Sequence, residues 1–153
     1  MSGDTSSALL RDSLAELDQA RLHLSFSYQR VRNLSAKRED WLPEDLEKIE
    51  AYTSRFARLV DLLTNKALRA VFRYELEPAE TVLDRLNLAE KRGFVDRAEV
   101  LRVLKENRNV IAHDYAGVAV EEIFSFCRSQ QAQLDSICDL VAVYAHKLLA
   151  SSS

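Results

Sequence analysis

The chain has 153 residues, 47% of them hydrophobic and 29% charged, with a formal net charge of −3. That length makes one domain with a real core, and three glycines with two prolines leave few turn signals, so the composition points to an all-α protein. The acidic balance excludes a generic polyanion binder, and no apolar run reaches the length of a membrane span.

The first residues carry none of the marks of a signal peptide. We therefore expect a cytoplasmic chain, a single domain over residues 1–153, with flexible ends at about 1–7 and 150–153. Over about 6–36, Leu10, Leu14, Leu17, Leu24, Tyr28 and Val31 recur in alternating steps of four and three, with Arg21 in the one missing slot. That is a long amphipathic helix with a narrow seam. A charged link at 37–40 follows. Pro43 then opens a second helix, with Glu44 and Asp45 in its first turn facing the positive end of the helix dipole.

This second helix runs to about residue 65 with Leu46, Ile49, Thr53, Phe56, Val60 and Leu63 in register, and 68–74 reads as a short continuation after a bend. Pro78 is expected to start a further helix carrying Val82, Leu83, Leu86 and Leu88, with Gly93 as its stop and Asp96 capping the next one. That next helix reaches about His113, and Gly117 breaks it. The last helix, about 118–149, is the most regular: Val120, Phe124, Cys127, Gln131, Leu134, Cys138, Val141, Ala145 and Leu148 alternate four and three throughout. The whole reads as an up-and-down helical bundle.

Cys127 and Cys138 lie about 16 Å apart by helical rise and cannot bridge each other. Two free thiols in an apolar stripe suit a reducing compartment. There is no Cys/His cluster, no H-E-x-x-H, no glycine-rich phosphate loop and no G-x-S-x-G, so neither a metal nor a cofactor is expected. His23, His146 and the pair Glu121-Glu122 read as surface or structural residues.

One stretch is different. Residues 108–115 read Arg-Asn-Val-Ile-Ala-His-Asp-Tyr. In helical projection Leu101, Leu104, Ile111 and Tyr115 form an apolar stripe, and Arg108 falls inside it. A guanidinium at such a slot needs a partner, because burying it unpaired is costly. Arg102, Lys105, Asn109 and His113 fall on the adjacent face and make a short basic strip. Arg108 and His113 project about 140° apart on a continuous helix. Either the helix ends near Ala112 and His113 turns back, or a second copy completes the site.

The string R-N-x-x-A-H-x-Y resembles the signature of the HEPN superfamily, most closely the HepT toxins of prokaryotic HEPN/minimal-nucleotidyltransferase toxin–antitoxin pairs. Arg108, Asn109, His113 and Tyr115 fill every position of R-x4-H-x-Y with a polar residue after the arginine. The run Ser54-Arg55-Phe56-Ala57-Arg58-Leu59 and the helical layout extend the likeness over nearly the whole chain. The resemblance implies a homodimer with both motifs facing one cleft, and a metal-independent endoribonuclease. Arg108, His113 and Asn109 would then be catalytic, with Arg102 and Lys105 tracking the RNA. It also implies a nucleotidyltransferase antitoxin that places AMP on Tyr115. The alternative is a non-catalytic HEPN binding module, or an accessory subunit for a nucleotidyltransferase.

Overall fold

The computed structural model describes residues 3–114 and 116–151, which form helices joined by turns and loops with no strand among them. Helix α1 spans Gly3–Val31, and a single 3-10 turn at Arg38–Asp40 leads to α2, Pro43–Asp61. Next come α3 (Leu68–Tyr74), α4 (Val82–Lys91), α5 (Ala98–His113) and α6 (Val120–Ser151). α1 thus begins three residues earlier than expected and α6 extends two residues further. Residues 1, 2, 152 and 153, within the expected flexible ends, lie outside the described residues.

Cross-helix contacts give the direction of each rod. Arg55 of α2 donates to Ser27 Oγ of α1 at 2.8 Å, and Lys66 reaches Glu16 at 3.0 Å, so the second rod descends as α1 ascends. Arg21 meets Asp139 at 2.7 Å while Arg128 donates to the Leu34 carbonyl at 2.7 Å, which sets α6 antiparallel to α1. Arg108 pairs with Asp61 and Lys105 with Thr64, so α5 also runs against the second rod. The bundle is therefore up-and-down along its long helices.

The core fills the space between these rods. Leu10, Leu14, Leu17, Leu24 and Val31 of α1 are buried, as are Ile49, Phe56, Val60 and Leu63 of the second rod and Phe124, Leu134 and Val141 of α6. Tyr52 sits at the centre, its ring 6.1 Å from that of Phe124 and 5.9 Å from that of Tyr28. Its hydroxyl donates to Gln131 Oε1 at 2.6 Å, which satisfies the one polar member of the α6 stripe. Cys127 and Cys138 are both free and buried within that stripe. Burial pushes each thiol up to about 12.

Between α2 and α3 the helix does not bend away. It continues through a widened π turn at Leu62–Ala67. There the Leu68 N–H bonds back to the Leu63 carbonyl, which frees the carbonyl of Thr64. Arg85, only 2% exposed, fills that gap: its Nε donates to Thr64 O at 3.0 Å and its Nη1 to Glu80 O at 2.6 Å. Burial lowers the Arg85 pKa, and neighbouring Arg69 lowers it further.

Two expected helix starts are corrected. α4 begins at Val82, not at Pro78, because Thr81 Oγ1 accepts the Asp84 N–H at 3.1 Å and makes the cap. Asp96 does not cap α5. Glu90, on the preceding helix, accepts the Ala98 N–H at 2.7 Å instead. Gly93 does end its turn, at φ +81°. No helix is long and apolar enough to cross a membrane among the described residues.

Candidate active site

α5 holds Arg108, Asn109 and His113 of the motif on its last two turns. Its apolar stripe is anchored by Leu101 and Leu104, both buried, with Ile111 half-buried further on. In the slot between them Arg108 meets α2: its Nε donates to Asp61 Oδ2 at 2.7 Å. The two side chains are 35% and 32% exposed, so the pair sits at the protein's edge, reachable by solvent. Arg108 Nη1 also donates to Asn109 Oδ1 at 3.3 Å, which ties the second motif residue to the first.

The remaining cations of the strip are engaged inside the chain. Lys105 is half-buried and its Nζ donates to Thr64 Oγ1 and to Asn65 Oδ1, both at 3.1 Å. Burial lowers its pKa, opposed by the charge of Asp61 and reinforced by Arg85 and Arg108. Arg102, exposed, is held between Glu99 one turn before and Glu106 one turn after. Hydrogen bonding to Glu99 raises its pKa, and the two flanking carboxylates add to that. Both cations are thus already engaged, Arg102 with carboxylates and Lys105 with neutral oxygens.

His113 is exposed and is the last residue of α5, in the turn where the helix dipole favours a cation. The helix runs through Ala112 without a break, so His113 stays about 140° around the axis from Arg108. Tyr115 lies outside the described residues. After it the chain is pinned by Asp114, whose two carboxylate oxygens accept the N–H groups of Val118 at 3.0 Å and Ala119 at 3.1 Å and so start α6. Gly117, at φ +66°, permits the reversal, and its carbonyl accepts from Arg38 at 2.9 Å.

This turn borders a cavity of about 300 Å³ that Glu50, Thr53 and Ser54 of α2 share with Ile111, Asp114 and Gly117. Ser54 of the Ser54-to-Leu59 run therefore faces the end of the motif, whereas Phe56 and Leu59 are buried in the core. Among the described residues no three His, Cys, Asp or Glu side chains converge as metal ligands.

The sequence reading missed Asp61, the partner of Arg108, and Thr64 and Asn65, the partners of Lys105. The available signal was a carboxylate directly after buried Val60 and two polar residues one turn further along the same rod. Comparison with family models, with curated proteins and with solved structures finds no match to this chain.

Proposed function

We infer that the chain is the toxin of a HEPN-type toxin–antitoxin pair, a homodimeric endoribonuclease that cuts RNA without a metal ion. The observation that carries this reading is the arrangement of Arg108, Asn109 and His113 on α5. Arg108 is partly open to solvent and Asn109 is bonded to it, with His113 exposed at the helix end. Because α5 is unbroken, one chain presents Arg108 and His113 to different sides. Two copies with their α5 ends facing each other would put the arginine of one beside the histidine of the other.

In that cleft the substrate supplies its own nucleophile. An imidazole changes protonation near neutral pH, so His113 takes the proton of the ribose 2′-OH, or gives one to the leaving 5′-oxygen. The 2′-oxygen bonds to phosphorus, the P–O5′ bond breaks, and the products are a 2′,3′-cyclic phosphate and a 5′-hydroxyl. Arg108 holds the phosphate through its planar fork and offsets the charge of the pentacoordinate state, while Asn109 orients it. Control comes from a partner nucleotidyltransferase that attaches AMP to Tyr115, the tyrosine oxygen attacking the α-phosphate of ATP with pyrophosphate as leaving group. A bulky anion on Tyr115 would compete with RNA for the cations of the cleft.

A second reading is favoured by the partners these cations already hold. Arg108 is held by Asp61, Arg102 by Glu99 and Glu106, and Lys105 by Thr64 and Asn65. A non-catalytic module or accessory subunit for a nucleotidyltransferase needs no cation available to phosphate. Incubation of the purified protein with RNA in EDTA separates the two. The nuclease reading expects cleavage with cyclic-phosphate ends that fails in Arg108→Ala and His113→Ala, and a protein that leaves RNA intact in every condition sinks it. Intact-mass analysis after co-expression with a neighbouring transferase then shows whether Tyr115, and not Tyr115→Phe, gains AMP.

A further inference from the structure

The C-terminal end of the second rod carries an unusual concentration of positive charge for a chain with net charge −3. Arg69 and Arg73 lie one turn apart on α3, Lys66 lies just before them in the π turn, and Arg85 packs behind. Their compensation is uneven. Arg73 makes a two-pronged bond to Glu80 at 2.9 and 2.8 Å, and Lys66 is matched by Glu16 at 3.0 Å. Arg85 has backbone carbonyls as its hydrogen-bond acceptors. Arg69 Nε is fully buried, and no hydrogen-bond acceptor meets it among the described residues.

Arg69 lines a cavity of about 250 Å³ between the first turns of α1 and the outer side of α3. Ser6 and Ser13 stand on the α1 side at helical spacing, with Leu9 between them and Ala70 opposite. Ser6 is buried although polar, at 9% exposure. Lys66 and Glu16 cancel within the lining, and Asp12 is exposed at the rim. The walls thus offer a guanidinium and two hydroxyls beside a small apolar surface.

We propose that this cavity binds a small organic anion, a carboxylate or phosphate on a compact apolar body, with Arg69 gripping the charged head and Ser6 and Ser13 donating to it. A guanidinium recognises both oxyanions by the same fork. Arg69 lines the cavity, so an anion held there pairs with its charge. The anion also offsets the mutual repulsion of Arg69 and Arg85. Arg69 lies about two turns beyond Asp61 on the same rod, and the cavity shares Asn65 with the Lys105 contact.

Arginine Nε–H spectra of the full-length ¹⁵N-labelled protein test this, with the Arg69 signal assigned by its loss in Arg69→Gln. Titration uses inorganic phosphate in one arm and butyrate in the other. A saturable shift of that signal is expected with at least one of them, together with the amide of Ala70, and the arm that saturates names the head group. In Arg69→Gln the Ala70 shift is expected to vanish. Ser13→Leu, which fills the cavity from α1 and removes no charge, is expected to abolish both shifts while leaving the helical circular-dichroism spectrum intact. Linear, non-saturating shifts in both arms overturn the proposal, as does an Ala70 shift that persists in either variant.

Discussion

α5 and α6 are both amphipathic helices whose apolar stripe is interrupted by one polar residue, and the two interruptions are built in opposite ways. On α6, Gln131 is 4% exposed, flanked by buried Cys127 and Leu134, and fastened by the Tyr52 hydroxyl at 2.6 Å. On α5, Arg108 is charged, partly open to solvent, and held by a carboxylate on the neighbouring rod that water also reaches. A neutral side chain in a sealed slot holds the packing of one helix against another. A charged one at an open edge, whose partner is itself exposed, gains little stability from the pair and can exchange it for another anion. This difference leaves the guanidinium near the end of α5 able to change partners, as the proposed nuclease reading requires.

The largest effects should divide along this line. Arg108→Ala and His113→Ala are expected to lower RNA cleavage by about 10²–10⁴-fold, the range of general acid–base and charge-stabilising groups, while shifting stability by no more than about 1 kcal/mol. Phe124→Ala on α6 should do the reverse. It removes a fully buried ring from the Tyr52 and Trp41 cluster and is expected to cost about 3–5 kcal/mol of folding free energy. Urea unfolding and cleavage rates measured on the same samples check both. The contrast breaks if Arg108→Ala destabilises as much as Phe124→Ala, because Arg108 would then be a structural member of the stripe.

Next in size is the fastening on α6. Tyr52→Phe leaves the Gln131 carbonyl without its donor in a sealed core and is expected to cost about 1–3 kcal/mol. Adding Gln131→Leu removes the stranded acceptor, so the double variant should recover part of that loss. A double variant with the summed loss of the two singles would mean that the bond carries no coupling and that Gln131 does not set the register of α6.

The helices were legible because their stripes are periodic, and so was the anomaly of a charge inside a stripe. Arg21 and Arg108 both stand in missing apolar slots, and both meet a carboxylate on another rod, Asp139 and Asp61. Which carboxylate could not be read, since Asp61 and Asp139 come near only once the rods dock. The misplaced start of α4 has a local cause: Pro78 suits a first helical position, but Thr81 supplies the cap. The cap of α5 was out of reach for another reason, coming from Glu90 across a turn. Arg85 was invisible as a core residue because its acceptors are backbone carbonyls, one of them freed by a π turn that no side-chain pattern announces. At the site, the pattern grouped Arg108, Asn109 and His113, of which the structure joins Arg108 to Asn109, and it suggested an available basic strip. The structure has Arg102 and Lys105 already engaged with partners inside the chain.

The smallest expected effect probes the pair itself. Asp61→Asn keeps the shape and an acceptor oxygen beside Arg108 but removes the charge that competes with a phosphate. The stability change should be within about 1 kcal/mol, because both side chains are about one-third exposed and such pairs contribute little. The same energy, released to RNA, corresponds to about two- to five-fold tighter binding, since 1.4 kcal/mol is a factor of ten. The gain should shrink as salt rises, because screening weakens the competition between carboxylate and phosphate for one cation. It should also vanish in the Arg108→Ala background, where no guanidinium remains to be released. Binding measured by fluorescence anisotropy at two salt concentrations decides it. Weaker binding in Asp61→Asn would show that the carboxylate aims Arg108 at its target, and the exchange of partners at the end of α5 would have to be abandoned.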